Sequence, residues 1–228
     1  MILPEDYLVT RALMELDDRL PEDFPVLKLN IVGGYALQIR QIRTNPHQAT
    51  DLDYLGSPHG QEYRPLVDEV GAKYGLSPGW LNNDLQLGEY DSIADIEIST
   101  GPLEFESLQS DLTHFEVSVA TVPTLLRMKL ISLGDQLIGF LDDEFPSEFV
   151  RVNDAVDLRM IFQAMGLTVD QIHQVIDELA ANDYVLLPAD LKIAVKQLLT
   201  DSTKIQLDTP GGRVRTIVLP SAASQSHR

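Results

Sequence analysis

The sequence predicts an α+β fold, with a mixed sheet and its helices in front and an all-helical half behind. Two observations carry this. Short segments alternating apolar and polar residues, the signature of half-buried strands, fall mainly before residue 122, among them VLKLNIV (26–32), DLDYLG (51–56) and HFEVSVAT (114–121). After that point the apolar residues recur at helical spacing through four successive segments, interrupted by Gly and Pro.

Residues 5–20 place Leu8, Leu13, Leu16 and Leu20 on one helical stripe, closed by Pro21 and Pro25. VLKLNIV then reads as a strand running into a sharp Gly33-Gly34 turn, and YALQIRQIR (35–43) as a short helix. TNPHQAT (44–50) is a loop and DLDYLG a second strand. A helix is expected over 60–74, a loop carrying the only Trp over 76–84, and strands over 92–100 (SIADIEIST) and 114–121. In the first of these strands Asp95, Glu97 and Ser99 share one face. The helices are expected over 122–141, 148–165, 168–182 and 189–200. Gly166 stops the second, and Thr168 with Gln171 forms a capping box for the third. KIQLDTPGGRVRTIVL suits a hairpin over Pro-Gly-Gly, and PSAASQSHR (220–228) a disordered tail. The domain organisation expected is therefore 1–121 as an α/β domain, 122–205 as a helical domain, and 206–228 as hairpin and tail.

The chain has 228 residues, 35 acidic and 17 basic, for a formal net charge of -18. That balance repels other polyanions and argues against an extended nucleic-acid footprint, which needs a basic face. With no cysteine, disulfides, thiolate metal sites and thiol nucleophiles are excluded. The N-terminus lacks a basic, then apolar, leader, and no stretch approaches the ~20 apolar residues of a membrane span. A soluble cytoplasmic protein is expected. The five histidines show no HExxH spacing, and G-x-S-x-G is absent.

Two small patterns carry chemistry. If DLDYLG is a strand, Asp51 and Asp53 point to one face, and two carboxylates that close repel unless a cation sits between them. Hard Mg²⁺ takes oxygen ligands of this kind together with substrate phosphates. Gly33-Gly34 after a strand exposes backbone N–H groups without Cβ hindrance, which lets a phosphate approach. Together the patterns compose a metal–nucleotide site. Taken singly, a Gly-Gly is more often a plain turn and an Asp-x-Asp more often a solvated face.

Gly-Gly opening a short helix, a polar loop, then Asp-x-Asp on a strand, here VGGYALQIRQIRTNPHQATDLDYL, resembles the nucleotidyltransferase (polymerase beta-like) fold. ATDLDYL, PGWLNND, VATVPTLLRMKLIS and RVNDAVDLRMIF resemble segments of the abortive-infection-type nucleotidyltransferase toxins and related nucleotidyltransferase-like proteins. The likeness spans roughly residues 28–162. It implies a phosphate turn at Gly33 and Gly34, Mg²⁺ held by Asp51 and Asp53, and Lys129 on the nucleotide phosphates. It also implies an acid on the later helix, Asp157 or its neighbour Asp154, and a third metal-binding carboxylate, Asp95 before Glu97. An NTP would be the substrate, an RNA or protein the acceptor, and an antitoxin protein a partner. The chain departs from the pattern at Gly34, often Ser in the family, and at Asn153, where the later helix usually carries Lys. These departures suit the alternative of a catalytically inert module that binds a partner protein. Arg40 and Arg43 have two readings, an anionic substrate or nearby acids. Trp80 reads as a base-stacking residue or, more simply, a loop anchor. The acidic run at 141–148 reads as a solvated loop.

Overall fold

The computed structural model describes residues 1–43, 49–56, 60–83, 96–97, 100–141, 152–200 and 203–219. Asp95, most of the acidic run and the tail from residue 220 lie outside these residues. The chain forms two compact units, one of residues 1–98 and 102–125, the other of residues 99–101 and 126–228.

The first unit is built on a five-stranded mixed sheet. Helix α1 (Leu8–Arg19) leads into β1 (Leu27–Val32), α2 (Gly33–Ile39), β2 (Leu52–Leu55) and α3 (Arg64–Lys73). Strands β3 (Leu81–Asn82), β4 (Phe105–Ser107) and β5 (Phe115–Ala120) complete it, in the spatial order β3-β2-β1-β5-β4. β1 runs parallel to β5 and antiparallel to β2; β2 is parallel to β3, and β4 antiparallel to β5.

The alternation read in the sequence gives this sheet its two faces. Leu27, Leu29 and Ile31 of β1, Leu52 and Tyr54 of β2, and Phe115, Val117 and Val119 of β5 all fall on one face and are buried. At about 1.5–3 kcal/mol for each large apolar side chain taken from water, this face anchors the unit. The opposite face carries Lys28 and Asn30, Asp53, Asn82, and Glu116 and Ser118, in register across four strands. Ser118 Oγ donates to Asn30 Oδ1 at 2.8 Å. Along β1 and β5 this face passes from exposed (Lys28, Glu116) to buried (Val32, Ala120) toward the strand ends that lead into α2 and the next helix.

Two expectations change. Ile96 and Glu97 lie in a helical turn, so the strand expected over 92–100 is not formed there. Ile96 and Thr100, four residues apart and both buried, fit a helical period instead. The shared face proposed for Asp95 and Glu97 rested on that strand and loses its basis. The outer strand beside β5 is β4, a three-residue segment that pairs Phe105 with Ala120 and Ser107 with Ser118.

The second unit is helical: most of α4 (Val122–Leu141), then α5 (Val152–Met165), α6 (Val169–Ala180) and α7 (Pro188–Leu199). Gly166, at φ +62°, ends α5 in the left-handed conformation glycine adopts without Cβ strain. The capping box forms, with Gln171 N–H donating to Thr168 Oγ1 (3.3 Å) and Thr168 N–H to Gln171 Oε1 (2.9 Å). A hairpin of β6 (Lys204–Asp208) and β7 (Val214–Val218) closes the unit over Pro210, Gly211 and Gly212. Seven α-helices thus accompany the mixed sheet among the described residues, an α+β architecture. No described helix is long and apolar enough to cross a membrane.

Candidate functional site

The Gly-Gly turn and the Asp-x-Asp strand meet. β2 runs antiparallel to β1 with Asp53 opposite Val32, the last residue before the turn. Gly33 has φ +68°, and a Cβ built there would fall on the Asp53 carboxylate, Oδ2 first. Both the left-handed backbone and the close approach require glycine. The turn therefore packs directly against the carboxylate, although 19 positions of sequence separate the two motif residues. Asn82 on the neighbouring strand β3 fixes the same carboxylate, its Nδ2 donating to Asp53 Oδ1 at 2.9 Å. Asp51 stands one residue before β2, half-buried, two positions from Asp53 in the chain.

The other glycine faces a cation. A Cβ at Gly34 would lie 2.7 Å from Arg43 Nη1. The backbone beyond α2 brings Arg43 there: Gln41 takes φ 58°, and the N–H groups of Ile42 and Arg43 both return to the Leu37 carbonyl (2.9 and 3.1 Å). A carboxylate and a guanidinium thus flank the two glycines. Arg40, by contrast, has a structural task. Its Nε and Nη2 donate to the carbonyls of Ala120 and Val119, and Nη1 pairs with Glu106 at 2.7 Å, with the side chain 8% exposed. Trp80 is the loop anchor: it is wholly buried, donates from Nε1 to the Val67 carbonyl (2.7 Å), and packs where Gly71 has no Cβ.

In the second unit, Lys129 on α4 meets Asp154 and Asp157 on α5. The two aspartates are three residues apart and so share a helical face. Lys129 Nζ binds Asp154 Oδ1 and lies 2.9 Å from Asp157 Oδ2. Ser132 and Gln136, on the next turns of α4, donate to Asp154 Oδ2 at 3.0 and 2.7 Å. Asp157 is completely buried and Asp154 nearly so. Burial pulls the Lys129 ammonium down, but Asp157 and Asp154 together outweigh it and hold its pKa above the ordinary lysine value. Burial likewise pushes Asp154 up, and Lys129 with the Gln136 and Ser132 donors more than reverses that, leaving it below the ordinary carboxylate value. Lys129 is therefore a permanent cation at neutral pH and not a general base. Its Nζ donates to Asp154 Oδ1 and forms an ion pair with Asp157 Oδ2.

The residues singled out from sequence fall into two clusters, Gly33, Gly34, Asp51 and Asp53 in one unit and Lys129, Asp154 and Asp157 in the other. Asp95 lies outside the described residues. Glu97, the second candidate for the third carboxylate, accepts a hydrogen bond from Leu103 N–H at 3.1 Å. Among the described residues no three His, Asp or Glu side chains converge as a metal-ligand set. Asn82 and Arg43 are the participants the motif reading missed or undervalued. Asn82 was visible only as part of the PGWLNND likeness, and Arg43 gave no periodic signal. Asp51 and Asp53 carry hard oxygen donors of the kind that Mg²⁺ takes. No family model, curated protein or solved structure matches the chain.

Proposed function

We propose that the first unit is a Mg²⁺-dependent nucleotidyltransferase of the type its motifs resemble, acting on an NTP. The observation that carries this is the contact of Gly33 with the Asp53 carboxylate, which joins phosphate turn and metal strand in one place. Asp51 and Asp53 hold the metal ion, which, when bound, offsets the negative charge of the phosphates. Gly33 and Gly34 admit the phosphates to the backbone, with the Arg43 guanidinium beside them. An acceptor hydroxyl on a protein or RNA attacks the α-phosphorus and gives its proton to water, the new P–O bond replaces the α–β phosphoanhydride bond, and pyrophosphate departs; such chemistry needs position and charge more than covalent help. Asp95 is the third carboxylate in this reading. The acidic balance of the chain favours a protein acceptor over a long RNA, and the toxin of a toxin–antitoxin pair is the biological setting the family likeness suggests.

Purified chain incubated with Mg²⁺ and each α-labelled NTP should label itself, added RNA or lysate protein. Asp51→Ala and Asp53→Ala should each lower labelling by about 10²-fold or more. Absence of labelling with all four nucleotides would sink the enzyme reading.

One observation favours the second reading, an inert module that binds a partner protein. The strand neighbours of Asp53 are Val32 and Asn82, so neither adjacent strand supplies an acid at that level. Nucleotide binding that depends on Mg²⁺ and Asp53, without transfer, would select it.

A further inference from the structure

We propose that the outer edge of β7 is a self-association surface whose partner is β7 of a second copy of this chain, paired antiparallel about Thr216. This goes beyond the transferase reading and does not depend on it. The hairpin pairs Ile205 with Ile217, Gln206 with Thr216, and Leu207 with Arg215. The Gln197 side-chain amide on α7 donates to the Gln206 carbonyl (2.8 Å) and accepts from the Gln206 N–H (2.7 Å). A residue whose N–H and C=O both turn outward belongs to a non-hydrogen-bonded pair of an antiparallel ladder, so its opposite, Thr216, turns both groups outward on the other side. The two-residue period sets Val214 and Val218 outward as well.

The two edges are therefore treated differently. Gln197 closes β6 by imitating the peptide group of a neighbouring strand. At β7 no hydrogen bond from another described element reaches the backbone of Val214, Thr216 or Val218. The side chains of Val214 and Val218 are 60% and 72% exposed. An edge that no described element pairs, carrying β-branched residues, is a template for another strand. The hairpin that presents it is held in place on its other face, where Ile205, Leu207 and Ile217 are buried and Arg215 donates to the Phe140 carbonyl.

The identity of the occupant follows from the strand itself. Val-Arg-Thr-Ile-Val is self-complementary: antiparallel pairing about Thr216 sets Thr216 against its copy and Val214 against Val218. All three rungs fall on outward-facing residues, so each exchanges two backbone hydrogen bonds. The contact is isologous and closes at two copies. In a chain of net charge -18, β7 contains no acidic residue, so two copies meet there without opposing carboxylates within the strand pair. The three outward residues are uncharged and offer nothing to select a charged foreign peptide. Five residues a side bury far less than the roughly 1,200–2,000 Å² of a stable interface, so the association is weak and concentration-dependent.

Sedimentation equilibrium of the full chain, from about 1 μM to about 1 mM, should show the mass rising from 25.4 kDa toward twice that. The doubly substituted Val214→Lys, Val218→Lys and Val214→Glu, Val218→Glu chains should each remain monomeric. Mixed in equal amounts they should associate again, because position 214 of one copy faces position 218 of the other. A second readout needs no variant: the amides of residues 214, 216 and 218 should exchange more slowly as wild-type concentration rises, those of 215 and 217 without change. A monomeric wild type throughout, variants that associate like it, a mixture that stays monomeric, or exchange rates independent of concentration would each overturn the proposal.

Discussion

The half-buried carboxylate of Asp53 and the wholly buried carboxylate of Asp157 sit in the same chain under opposite constraints. Asp53 keeps access to water and takes a hydrogen bond from the neutral amide of Asn82. Asp157 has no solvent exposure and lies 2.9 Å from the Lys129 ammonium. A carboxylate that retains solvent contact has lost less of its hydration. One taken wholly from water depends on its countercharge, because an unpaired buried ion costs several kcal/mol. Its half-buried carboxylate suits Asp53 to the ligand role proposed above, whereas Asp157 belongs to a charge cluster that also holds α4 to α5.

The largest effect expected from this comparison is on Lys129. Lys129→Met leaves two buried aspartates without their ammonium and should lower stability by about 3–5 kcal/mol in denaturant titration near pH 7. The pH dependence carries the signature. Asp154 lies below its unfolded value of 3.8 in the folded chain, so its contribution is present above that value and is lost as pH falls through the folded pKa. Lys129 lies above its unfolded value of 10.5, so its contribution is present below that value and is lost as pH rises through the folded pKa. The gap between wild type and Lys129→Met should therefore be widest between about pH 4 and 10 and narrow below that window, as Asp154 takes up a proton. A variant as stable as wild type across that window would make Lys129 a free functional cation and undo the contrast.

The next effect belongs to the turn. Gly33→Ala places a Cβ both in the left-handed region and on the Asp53 carboxylate, which should cost about 1–3 kcal/mol. The two causes separate in a double-mutant cycle. Adding Asp53→Ala removes the collision and should recover part of the loss, leaving about 1–2 kcal/mol of backbone strain. Additive losses would mean that turn and carboxylate are not in contact.

How far such features can be read in advance depends on whether they are local. The alternation of β1, β2 and β5, the stripe of α1 and the Thr168–Gln171 box are each written within a few residues, and the corresponding elements form. The nearness of Gly33 to Asp53 was legible only as a motif likeness, because the contact is made by strand pairing. β4 was not legible, and Asn82 only as part of the PGWLNND likeness. Two- and three-residue strands carry no period, and they exist because β2 and β5 offer free edges. The turn at Ile96–Glu97 was misread because alternate isoleucines imitate a strand, whereas burial of Ile96 and Thr100 follows a helix. Gln197 is the extreme case: nothing local to a helical glutamine announces that its amide will stand in for a strand.

The smallest expected change in stability is at Asp53 itself, and it tests the contrast most directly. Asp53→Asn keeps an oxygen at the position that accepts from Asn82 and keeps the side-chain volume beside Gly33, while removing the charge. Since the group is only half-buried, the stability change should stay below about 1 kcal/mol. Labelling from NTP should nevertheless fall by about 10²-fold or more, because a neutral amide is a poor ligand for a hard divalent ion. The split between a near-silent denaturation curve and lost transfer is what a carboxylate kept for a ligand produces. A loss above about 2 kcal/mol would instead place Asp53 with Asp157, as a charge the fold requires.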